Sequence, residues 1–418
     1  MHTSQRRPVL LVGAGIREYH AHSLLQIAAS HPVVLVDAVV PSWARPYLVG
    51  EVTVSLSDPS EVGAAVGRFT VEHPVSGIVT SEPRHAGLAA HLAQHLGLPG
   101  NSPSAVATCE DPSRAHRVLR EADVPSMRVH AVDDIQSALA AARSLRFPVS
   151  LTAPAAGTGP VRADCDDEVR SAYVALAPGD SAEPLTASVT IEEFGLDGPE
   201  VGVEAVVLSP GEVQTVAVTR RTLCPERAHC PVGYSVDAHD ELLQAADLTR
   251  VVAQATTALG LTVGVVHADV RLTSRGPFIL QVGASPADDL IPLLVARARG
   301  IGLSRAAAAL ATGGTPDLTP TRGQAAAIRF LHPDASGRVV RLKAAERLTS
   351  QPWLDRFAWT QRPGKAVLGP PRSGRADRLA HWVVTGADTA ECTSRLGLIA
   401  EQVTARVSKA ASSPVGAH

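Results

Sequence analysis

The chain has 418 residues, of which 45% are hydrophobic and 19% charged, with a formal net charge of −3 at pH 7. This balance gives no basic surface for nucleic acid, and the apolar fraction is sufficient to bury more than one core. No apolar run reaches the roughly 20 residues that cross a bilayer, and the polar N-terminus leads into a short strand rather than a signal peptide. We therefore expect a cytoplasmic protein of several subdomains.

Residues 1–105 predict a βαβ layer with a parallel sheet. The apolar runs LLVGAG, VVLVD and SGIVTS alternate with helical stretches such as 86–96, where apolar residues recur every three or four positions. The loop LVGAGIREY begins like a dinucleotide-binding loop, but Arg17 and Glu18 break the GxGxxG spacing. A nicotinamide cofactor is therefore not expected.

Four further segments follow along the chain. Residues 106–190 predict a linker helix, from about 112 to 122, and a small α/β lobe, and residues 191–320 predict a larger lobe that ends at the turn-rich stretch TGGTPDLTPTRG. Residues 321–408 predict a small α+β closing domain, with strands near 325–330 and 381–385 and a helix near 391–407. The tail, 409–418, is expected to be disordered.

The five cysteines form an odd, scattered set without a CxxC pair, which is typical of reduced thiols rather than a disulfide framework. Cys224 and Cys230 lie on either side of a sequence that includes His229, and a soft metal could bind such a group. No second ligand pair accompanies them, so we interpret this segment as a loop.

Several segments, taken in order, resemble one superfamily. They are PVLLVGAG from Pro8, HLGLPGNSPSAV from His95, FPVSLTAPAAGTG from Phe147, IEEFGLDGPEVGVE from Ile191, HADVRL from His267 and ILQVGASPADDLIP from Ile279. In this order and spacing the chain resembles the ATP-grasp superfamily, and most closely its carboxylate-amine ligases, which join amino acids into dipeptides and related amides. The resemblance implies an α/β fold with an N-terminal Rossmann-like domain, two ATP-grasp lobes and a small C-terminal α+β domain. It also implies ATP and Mg²⁺ as cofactors and a carboxylate or amino-acid-like ligand.

The chain departs from this pattern where the family binds phosphate. No lysine precedes Lys343, Pro112 follows Asp111 where the family has its first lysine, and Thr152 occupies the position of the second. Proline has neither charge nor backbone N–H, and threonine donates only one neutral hydrogen bond. The glycine loop AAGTGP is also shorter than usual, so both cationic anchors and much of the phosphate clamp are missing.

The metal side departs in the same way. Asp269 retains the first acid of the family in shortened form, whereas Gln281 replaces the second, and Gly283 and Ser285 replace an asparagine and an arginine. Magnesium prefers anionic oxygen ligands, so we expect Asp269 and Gln281 to form a weak metal site. ATP and Mg²⁺ are thus implied by the resemblance alone.

The nucleoside side follows the family better. Glu193, Phe194 and Leu196 match the hinge that borders the adenine, Thr152 lies at the phosphate end, and Glu200 is placed to bind the ribose. The alternative interpretation is that this pattern only builds a pair of strands.

The cleft also has new polar groups. Asp288 and Asp289 occupy a turn that usually contains glycine. Together with the other candidates they could form an acid–base set that comprises His229, His267, Asp269, Arg271 and Asp288. For Asp289 the simpler interpretation is a cap on the helix LIPLLVARA.

Three functions stay open at this level. The first is an amide-forming ligase of specialised metabolism in which other cations replace the lysines. The second is a non-catalytic pseudoenzyme that binds a small molecule or an active partner enzyme, and the third is an ATP-independent enzyme that uses the remodelled cleft. We expect ligase ancestry with a degenerate ATP site, and a homodimer, since dimers are common among such ligases.

Overall fold

The computed structural model describes residues 6–153, 160–176, 189–194, 197–224, 227–345, 348, 350–370 and 373–409, without the side chains of 227–230 and 409. The chain divides into two compact units. The first comprises Met1–Met127, Leu196–Arg220 and Val236–Gln324, and the second comprises Arg128–Gly195, Arg221–Ser235 and Ala325–His418. Within the described residues, no helix has the length and apolar character required to span a membrane.

A parallel sheet opens the first unit. Its elements are β1 (Val9–Val12), α1 (Arg17–Ala28), β2 (Val33–Asp37), β3 (Gly50–Thr53), α2 (Pro59–Glu72), β4 (Gly77–Val79) and α3 (Ala86–His95). The strand order is β3-β2-β1-β4, with β1 parallel to both β2 and β4. Every residue of β1 is buried, as is typical of a parallel sheet covered on both faces. The predicted βαβ layer is confirmed.

Two short helices follow, α4 (Pro103–Glu110) and α5 (Pro112–Glu121). Pro112 is the first residue of α5, where its missing N–H has no cost. The Asp111 carboxylate accepts a hydrogen bond of 3.0 Å from the Arg114 N–H and caps this helix. The predicted helix at 112–122 is therefore confirmed, and Asp111 and Pro112 serve as its start signal.

The small lobe belongs to the second unit. Its elements are β5 (Val129–Val132), α6 (Ile135–Leu145), β6 (Val149–Thr152), β7 (Val161–Ala163), α7 (Asp166–Leu176) and β8 (Val189–Glu193). The sheet is antiparallel with the order β5-β8-β6-β7. One face of the sheet, including Leu151 and Ile191, packs on α6 and α7. The predicted glycine loop lies mainly at 154–159, outside the described residues.

The large lobe continues the chain. Its elements are β9 (Glu200–Ser209), β10 (Glu212–Cys224), β11 (Arg227–Asp237), α8 (Ala246–Ala258), β12 (Gly264–Thr273), β13 (Gly276–Gly283), α9 (Ile291–Arg299) and α10 (Leu303–Ala311). Within the first unit the strands run antiparallel in the order β13-β12-β9-β10. Successive residues of a strand point to opposite faces, so Val266, Ala268 and Val270 enter the core while the residues between them face the other way.

The C-terminal elements form part of the second unit. They are β14 (Ala325–Leu331), β15 (Gly337–Ala344), β16 (Leu354–Trp359), β17 (Ala366–Val367), β18 (Ala380–Gly386), α11 (Thr389–Ala400) and β19 (Val403–Lys409). The order is β14-β18-β16 in one sheet and β17-β15-β19 in another. Residues 410–418, the rest of the predicted tail, lie outside the described residues.

One predicted boundary in this region is wrong. The helix that we predicted over 391–407 ends at Ala400, and β19 begins at Val403 and pairs antiparallel with β15. Val403, Ala405 and Val407 alternate with more polar residues, which is the period of a half-buried strand. The pairing with β15 therefore prevails over the helical pattern that precedes it.

His381 on β18 makes folding sensitive to acid. The side chain is fully buried, and burial, with the positive charges of Arg356, Arg378 and Arg375, lowers the pKa of His381 to about 3. In the unfolded chain a histidine has a pKa of about 6.5. The unfolded state therefore binds a proton that the folded state does not, and stability is lost as the pH falls from about 6.5 towards 3. Between pH 7 and 5 we expect this histidine to remove about 2 kcal/mol of unfolding free energy. Urea denaturation at pH 7 and pH 5 measures this loss of unfolding free energy. The unfolding free energy of His381→Gln should depend less on pH than that of the wild type. If the variant and the wild type lose the same amount, His381 is not the cause.

Candidate functional site

One face of the sheet β13-β12-β9-β10 has a row of charged side chains. His267, Asp269 and Arg271 alternate along β12 on the face opposite the core. Their partners across β9, in the same order, are Glu204, Gly202 and Glu200. The alternation of the two strands thus brings together residues that are more than sixty positions apart in the sequence.

The His267 imidazole lies between two carboxylates. Its Nδ1–H donates to Glu204 Oε1 over 2.7 Å, and its Nε2 lies 3.4 Å from Asp269 Oδ1. Glu204 is fully buried and also accepts a 3.3 Å hydrogen bond from the Thr219 hydroxyl. Burial opposes the charged imidazole, but the charges of Glu204 and Asp269 and the hydrogen bonds to them outweigh it and raise the pKa of His267 well above its usual value. The two carboxyl groups on either side of the ring thus favour its protonated form.

Gly202 provides the space for this ring. A Cβ atom on Gly202 would lie 2.8 Å from His267 Cε1 and 3.3 Å from Thr219 Cβ. The ring of His267 thus occupies the volume above a residue that has no side chain. A larger residue at this position would displace the imidazole from Glu204.

The other end of the row is a second ion pair. Arg271 Nη2 donates to Glu200 Oε2 over 3.2 Å, and Arg271 Nη1 donates to the Gly198 carbonyl over 3.3 Å. The predicted ribose-binding carboxylate and the predicted catalytic arginine therefore bind each other.

The predicted nucleoside and phosphate residues of the small lobe are also engaged. The hydroxyl groups of Thr152 and Thr190 form a mutual hydrogen bond of 2.6 Å. Glu193 accepts a 2.6 Å hydrogen bond from Arg128 Nε, and the Arg162 guanidinium lies 5.0 Å from the centroid of the Phe194 ring. These interactions all lie within the second unit. Leu196 and the side chain of His229, two further predicted site residues, lie outside the described residues.

A second polar cluster lies at the carboxyl ends of the parallel strands. Asp37, at the end of β2, accepts hydrogen bonds from the backbone N–H groups of Ala14 at 2.8 Å and Ala38 at 2.7 Å. These bonds fix the loop that follows β1. Gly13 and Gly15 in this loop have φ values of +80° and +66°, which favour glycine.

Glu82 projects into this cluster from the loop after β4. The residue is only 6% exposed, and Arg84 Nη2 donates to its Oε2 over 2.6 Å. Its other oxygen, Oε1, lies 3.8 Å from His85 Nε2, a distance too long for a hydrogen bond. Burial lowers the pKa of His85, and the charge of the nearby Glu82 offsets only part of this effect.

His20 faces Asp288 in the same cluster. Its Nδ1 accepts a 3.0 Å hydrogen bond from the Ile16 N–H, and its Nε2 lies 3.6 Å from Asp288 Oδ1. His20 is 5% exposed. The structure thus places Asp288 near His20, a histidine that the sequence analysis did not single out, at a distance too long for a hydrogen bond.

The predicted helix cap at Asp289 is wrong. Helix α9 begins at Ile291 with Leu290 in the N-cap position, and no side-chain cap bond is formed there. Asp289 and Leu290 have left-handed φ values of 55° and 64°, and the Asp289 N–H donates to the Asp288 carboxylate over 2.9 Å. The turn therefore closes on Asp288, whose carbonyl accepts from the Ile291 N–H at 3.1 Å.

The chain is similar to known proteins in both sequence and fold. The family model L-amino acid ligase C-terminal domain 2 matches residues 329–408. The uncharacterized protein y4rH of Sinorhizobium fredii (strain NBRC 101917 / NGR234) is 24% identical over 361 residues, which cover 84% of this chain and 73% of y4rH. The L-amino acid ligase of Bacillus licheniformis is similar in structure, with a TM-score of 0.80 at 17% identity, covering 97% of this chain and 100% of the ligase.

A solved structure with bound nucleotide is also similar. It is the biotin carboxylase domain dimer of the 2-oxoglutarate carboxylase of Hydrogenobacter thermophilus, in complex with MgADP, ADP and bicarbonate. The TM-score is 0.71 at 13% identity, with 96% of this chain and 91% of that chain covered. This chain has the ATP-grasp fold. The resemblance to the carboxylate-amine ligases is confirmed at the level of fold, and the mixed α/β architecture with a C-terminal domain agrees with it.

The residues at the expected metal position do not fit magnesium. Asp269 and Gln281 are direct cross-strand partners, as the sequence comparison implied. Asp269 is already within 3.4 Å of the His267 nitrogen, and Gln281 offers a neutral amide in place of a second carboxylate. In the described part of the chain, no group of three or more His, Cys, Asp or Glu side chains is arranged to hold a metal ion. Magnesium prefers anionic oxygens in an octahedral shell, which this donor set does not supply.

The phosphate positions do not fit a triphosphate either. Pro112 is the first residue of α5 and presents no charge, and the Thr152 hydroxyl is bonded to Thr190. A triphosphate requires several cationic donors to offset its charge. At these two described positions the chain therefore offers no cation to a triphosphate.

The sequence analysis did not identify three residues of these two clusters. Glu204, Glu82 and His20 are each at most 6% exposed and bear functional groups that face the two clusters. A buried acid inside the apolar run EVGVEAVVL was a usable signal for Glu204, because acids are seldom buried without a partner. Glu82 and His20 belong to ordinary-looking helix and loop sequences that gave no comparable signal.

Proposed function

We propose that this ATP-grasp protein binds a small carboxylate or amino-acid-like ligand and has lost the ATP-dependent ligase reaction. The observation that carries the proposal is the Glu204–His267–Asp269 row, in which an imidazolium rather than a divalent cation neutralises the acids. The neutral Gln281 across from Asp269 supports the same conclusion. ATP-grasp relatives that bind MgADP make ATP the natural ligand to test.

The missing side chains are sufficient to explain the proposed loss of ATP binding. Replacement of two lysines, a glutamate, an asparagine and an arginine removes five groups that would each contribute a charge-assisted or polar contact, typically about 1.5–3 kcal/mol where charge is involved. These contributions are not additive, but even a part of their sum changes affinity by several powers of ten. The ordinary ligase mechanism therefore has little support from these residues.

A second candidate is ATP-independent chemistry at the charged row. His267 between two carboxylates is an acid–base arrangement, and Arg271 lies four residues further along the same strand. This candidate predicts turnover of a ligand that disappears in His267→Gln without any requirement for nucleotide. A pseudoenzyme, in contrast, is expected to bind the ligand without converting it.

We also propose a cellular compartment and an oligomeric state for the protein. Among the described residues, the cysteines Cys109, Cys165, Cys224 and Cys392 are free thiols, which supports a reducing compartment such as the cytoplasm. The biotin carboxylase relative is a dimer, which supports a homodimer here. A role beside an active partner enzyme follows from the proposed loss of ligase activity, whereas a role in specialised metabolism belongs to the alternative of a working ligase.

Titration with nucleotide tests the proposed loss. We expect no saturable heat when ATP or a non-hydrolysable analogue is added to millimolar concentration, with or without Mg²⁺, and no ADP release with a panel of amino acids. The variant Thr152→Lys with Gln281→Glu restores two charges and should gain at least tenfold in Mg²⁺-dependent affinity. Thr152→Met with Gln281→Met is the matched control without charge. Magnesium-dependent ATP consumption by the wild-type protein contradicts the proposal.

A further inference from the structure

The three-stranded sheet β17-β15-β19 of the second unit has an apolar face and a basic face. On the inner side Val339 and Val367 are buried, and Leu342, Ala405 and Val407 pack against them. Because successive residues of a strand point to opposite faces, the side chains between these residues point outward. Four of the outward side chains are basic and exposed, and together we call them the basic face: Arg338, Arg341, Lys343 and Arg406.

Positive charge is concentrated on this sheet although the chain as a whole has a net charge of −3. All three lysines of the sequence belong to the sheet or adjoin it: Lys343 in β15, Lys409 at the end of β19 and Lys365 directly before β17. The three strands contain no acidic residue. Within the described part of the chain, Arg341, Lys343 and Arg406 form no hydrogen bond or ion pair. Their charges are therefore available to an anionic partner.

Two of these cations lie in an unfavourable arrangement. Arg341 of β15 and Arg406 of β19 are direct cross-strand partners. Residues directly opposite each other in an antiparallel pair have Cα atoms about 4.5–5.5 Å apart, and like charges at such positions destabilise the sheet. A carboxylate that accepts hydrogen bonds from a guanidinium group would offset this repulsion.

The basic face and the edge beside it fit an extended polypeptide. Arg341 and Lys343 are two residues apart on β15, which is about 6.8 Å along a strand, and alternate side chains of an extended peptide have the same spacing. In the described part of the chain, β19 is the last strand of its sheet. The backbone N–H and C=O groups along its outer side can therefore pair with an added strand.

Nucleic acid and membranes fit this face less well. The three strands contain no aromatic residue on which a nucleic-acid base could stack. Among the described residues of these strands, Val340 is the one large apolar side chain that is exposed, so the face has little to insert into a bilayer. Neither partner would pair with the backbone at the edge of β19.

We propose that the basic face binds an acidic segment of a partner protein, which adds to the edge of β19 as an extended strand. Carboxylates on alternate residues of the segment bind Arg406 on the adjacent strand, and the charges of Arg341 and Lys343 on β15 add to the attraction. The inference goes beyond the proposed ligand binding and does not depend on the loss of ATP chemistry.

A fluorescein-labelled peptide in which glutamate and threonine alternate tests the partner's chemistry. With the full-length protein at low salt, fluorescence anisotropy should show saturable binding that weakens as salt is added, because surface ion pairs are screened. The same peptide with glutamine in place of glutamate should bind at least tenfold more weakly. N-methylation of the peptide backbone keeps every charge but removes the N–H groups that pair with a strand, and should weaken binding several-fold. Equal binding of either control peptide overturns the proposal.

Variants locate the surface. Arg341→Gln with Arg406→Gln should weaken binding of the acidic peptide at least tenfold. Because this change removes a like-charge pair, the variant should unfold at the same urea concentration as the wild type or at a higher one, which excludes misfolding as the cause. Arg68→Gln with Arg250→Gln is the matched control, since it removes two exposed arginines from helices α2 and α8 of the first unit, and it should bind like the wild type. Unchanged binding by the variant of the basic face overturns the proposal.

Two other polyanions complete the experiment. Vesicles that contain phosphatidylserine test a membrane, and a single strand of oligothymidine tests nucleic acid. Tighter binding of either than of the acidic peptide overturns the proposal. Absence of binding by every probe also overturns it, and would mean that the charges only keep sheet edges from associating. ATP turnover by the wild type overturns the proposed function but does not affect this result.

Discussion

His267→Ala is expected to destabilise the protein by about 3–5 kcal/mol, because it leaves the Glu204 carboxylate buried without its partner. Glu204 is fully buried, and its bond to His267 is 2.7 Å long. The remaining hydrogen bond, 3.3 Å from the Thr219 hydroxyl, is neutral and weaker. A buried charge that loses its ion pair retains its full desolvation cost, which explains the size of the effect.

Urea denaturation at pH 7 measures this effect. Glu204→Gln with His267→Gln removes both charges and should recover at least half of the lost stability. Asp269→Asn is the matched control, because its carboxylate is partly exposed and lies 3.4 Å from the imidazole, and it should cost less. A loss under about 1 kcal/mol in His267→Ala would show that Glu204 is neutral or solvated in the folded protein.

Trp382→Ala is expected to cost about 3–5 kcal/mol, the usual range for removing a buried aromatic residue. Trp382 lies on β18, is 1% exposed, and stacks on Phe357 with ring centroids 6.3 Å apart. Its Nε1–H donates to the Leu396 carbonyl on α11 over 3.2 Å. The truncation therefore leaves a cavity and also removes a hydrogen bond between β18 and the helix that packs on it.

The control for this experiment is Trp359→Ala. Trp359 contacts the same Phe357, with centroids 5.1 Å apart, but it is only partly buried. Its loss should cost less than half as much. If the two variants unfold at the same urea concentration, the stability of this region does not depend on the Trp382 packing described here.

The sequence was sufficient for the elements whose pattern is local. The parallel βαβ layer, the helix at Pro112 and the strands β14 and β18 agree with the structure because their periodicity or capping is contained in a few residues. The C-terminal helix was extended too far because the strand after it is defined by pairing with β15, some sixty residues earlier. Long-range pairing is invisible in a short window.

Long-range contacts also determine the partners of the predicted site residues. The resemblance implied that Glu193 and Glu200 border the nucleoside, and in the structure each forms an ion pair, with Arg128 and Arg271 respectively. The two arginines are 65 and 71 positions away in the sequence. Spacing identifies where a carboxylate lies on its strand, but only the fold determines which cation meets it.

The turn before α9 links the position of Asp288 to the packing of Leu290. Asp289 and Leu290 both adopt left-handed backbone conformations, which cost L-residues of this kind about 1–2 kcal/mol each. Leu290 is 2% exposed, so its side chain acts as an anchor that holds the turn in place and keeps Asp288 opposite His20. Glycine at Asp289 would relax the backbone but also loosen this arrangement. A substitution at Leu290 is therefore expected to displace the Asp288 carboxylate as well, because both residues belong to the same turn.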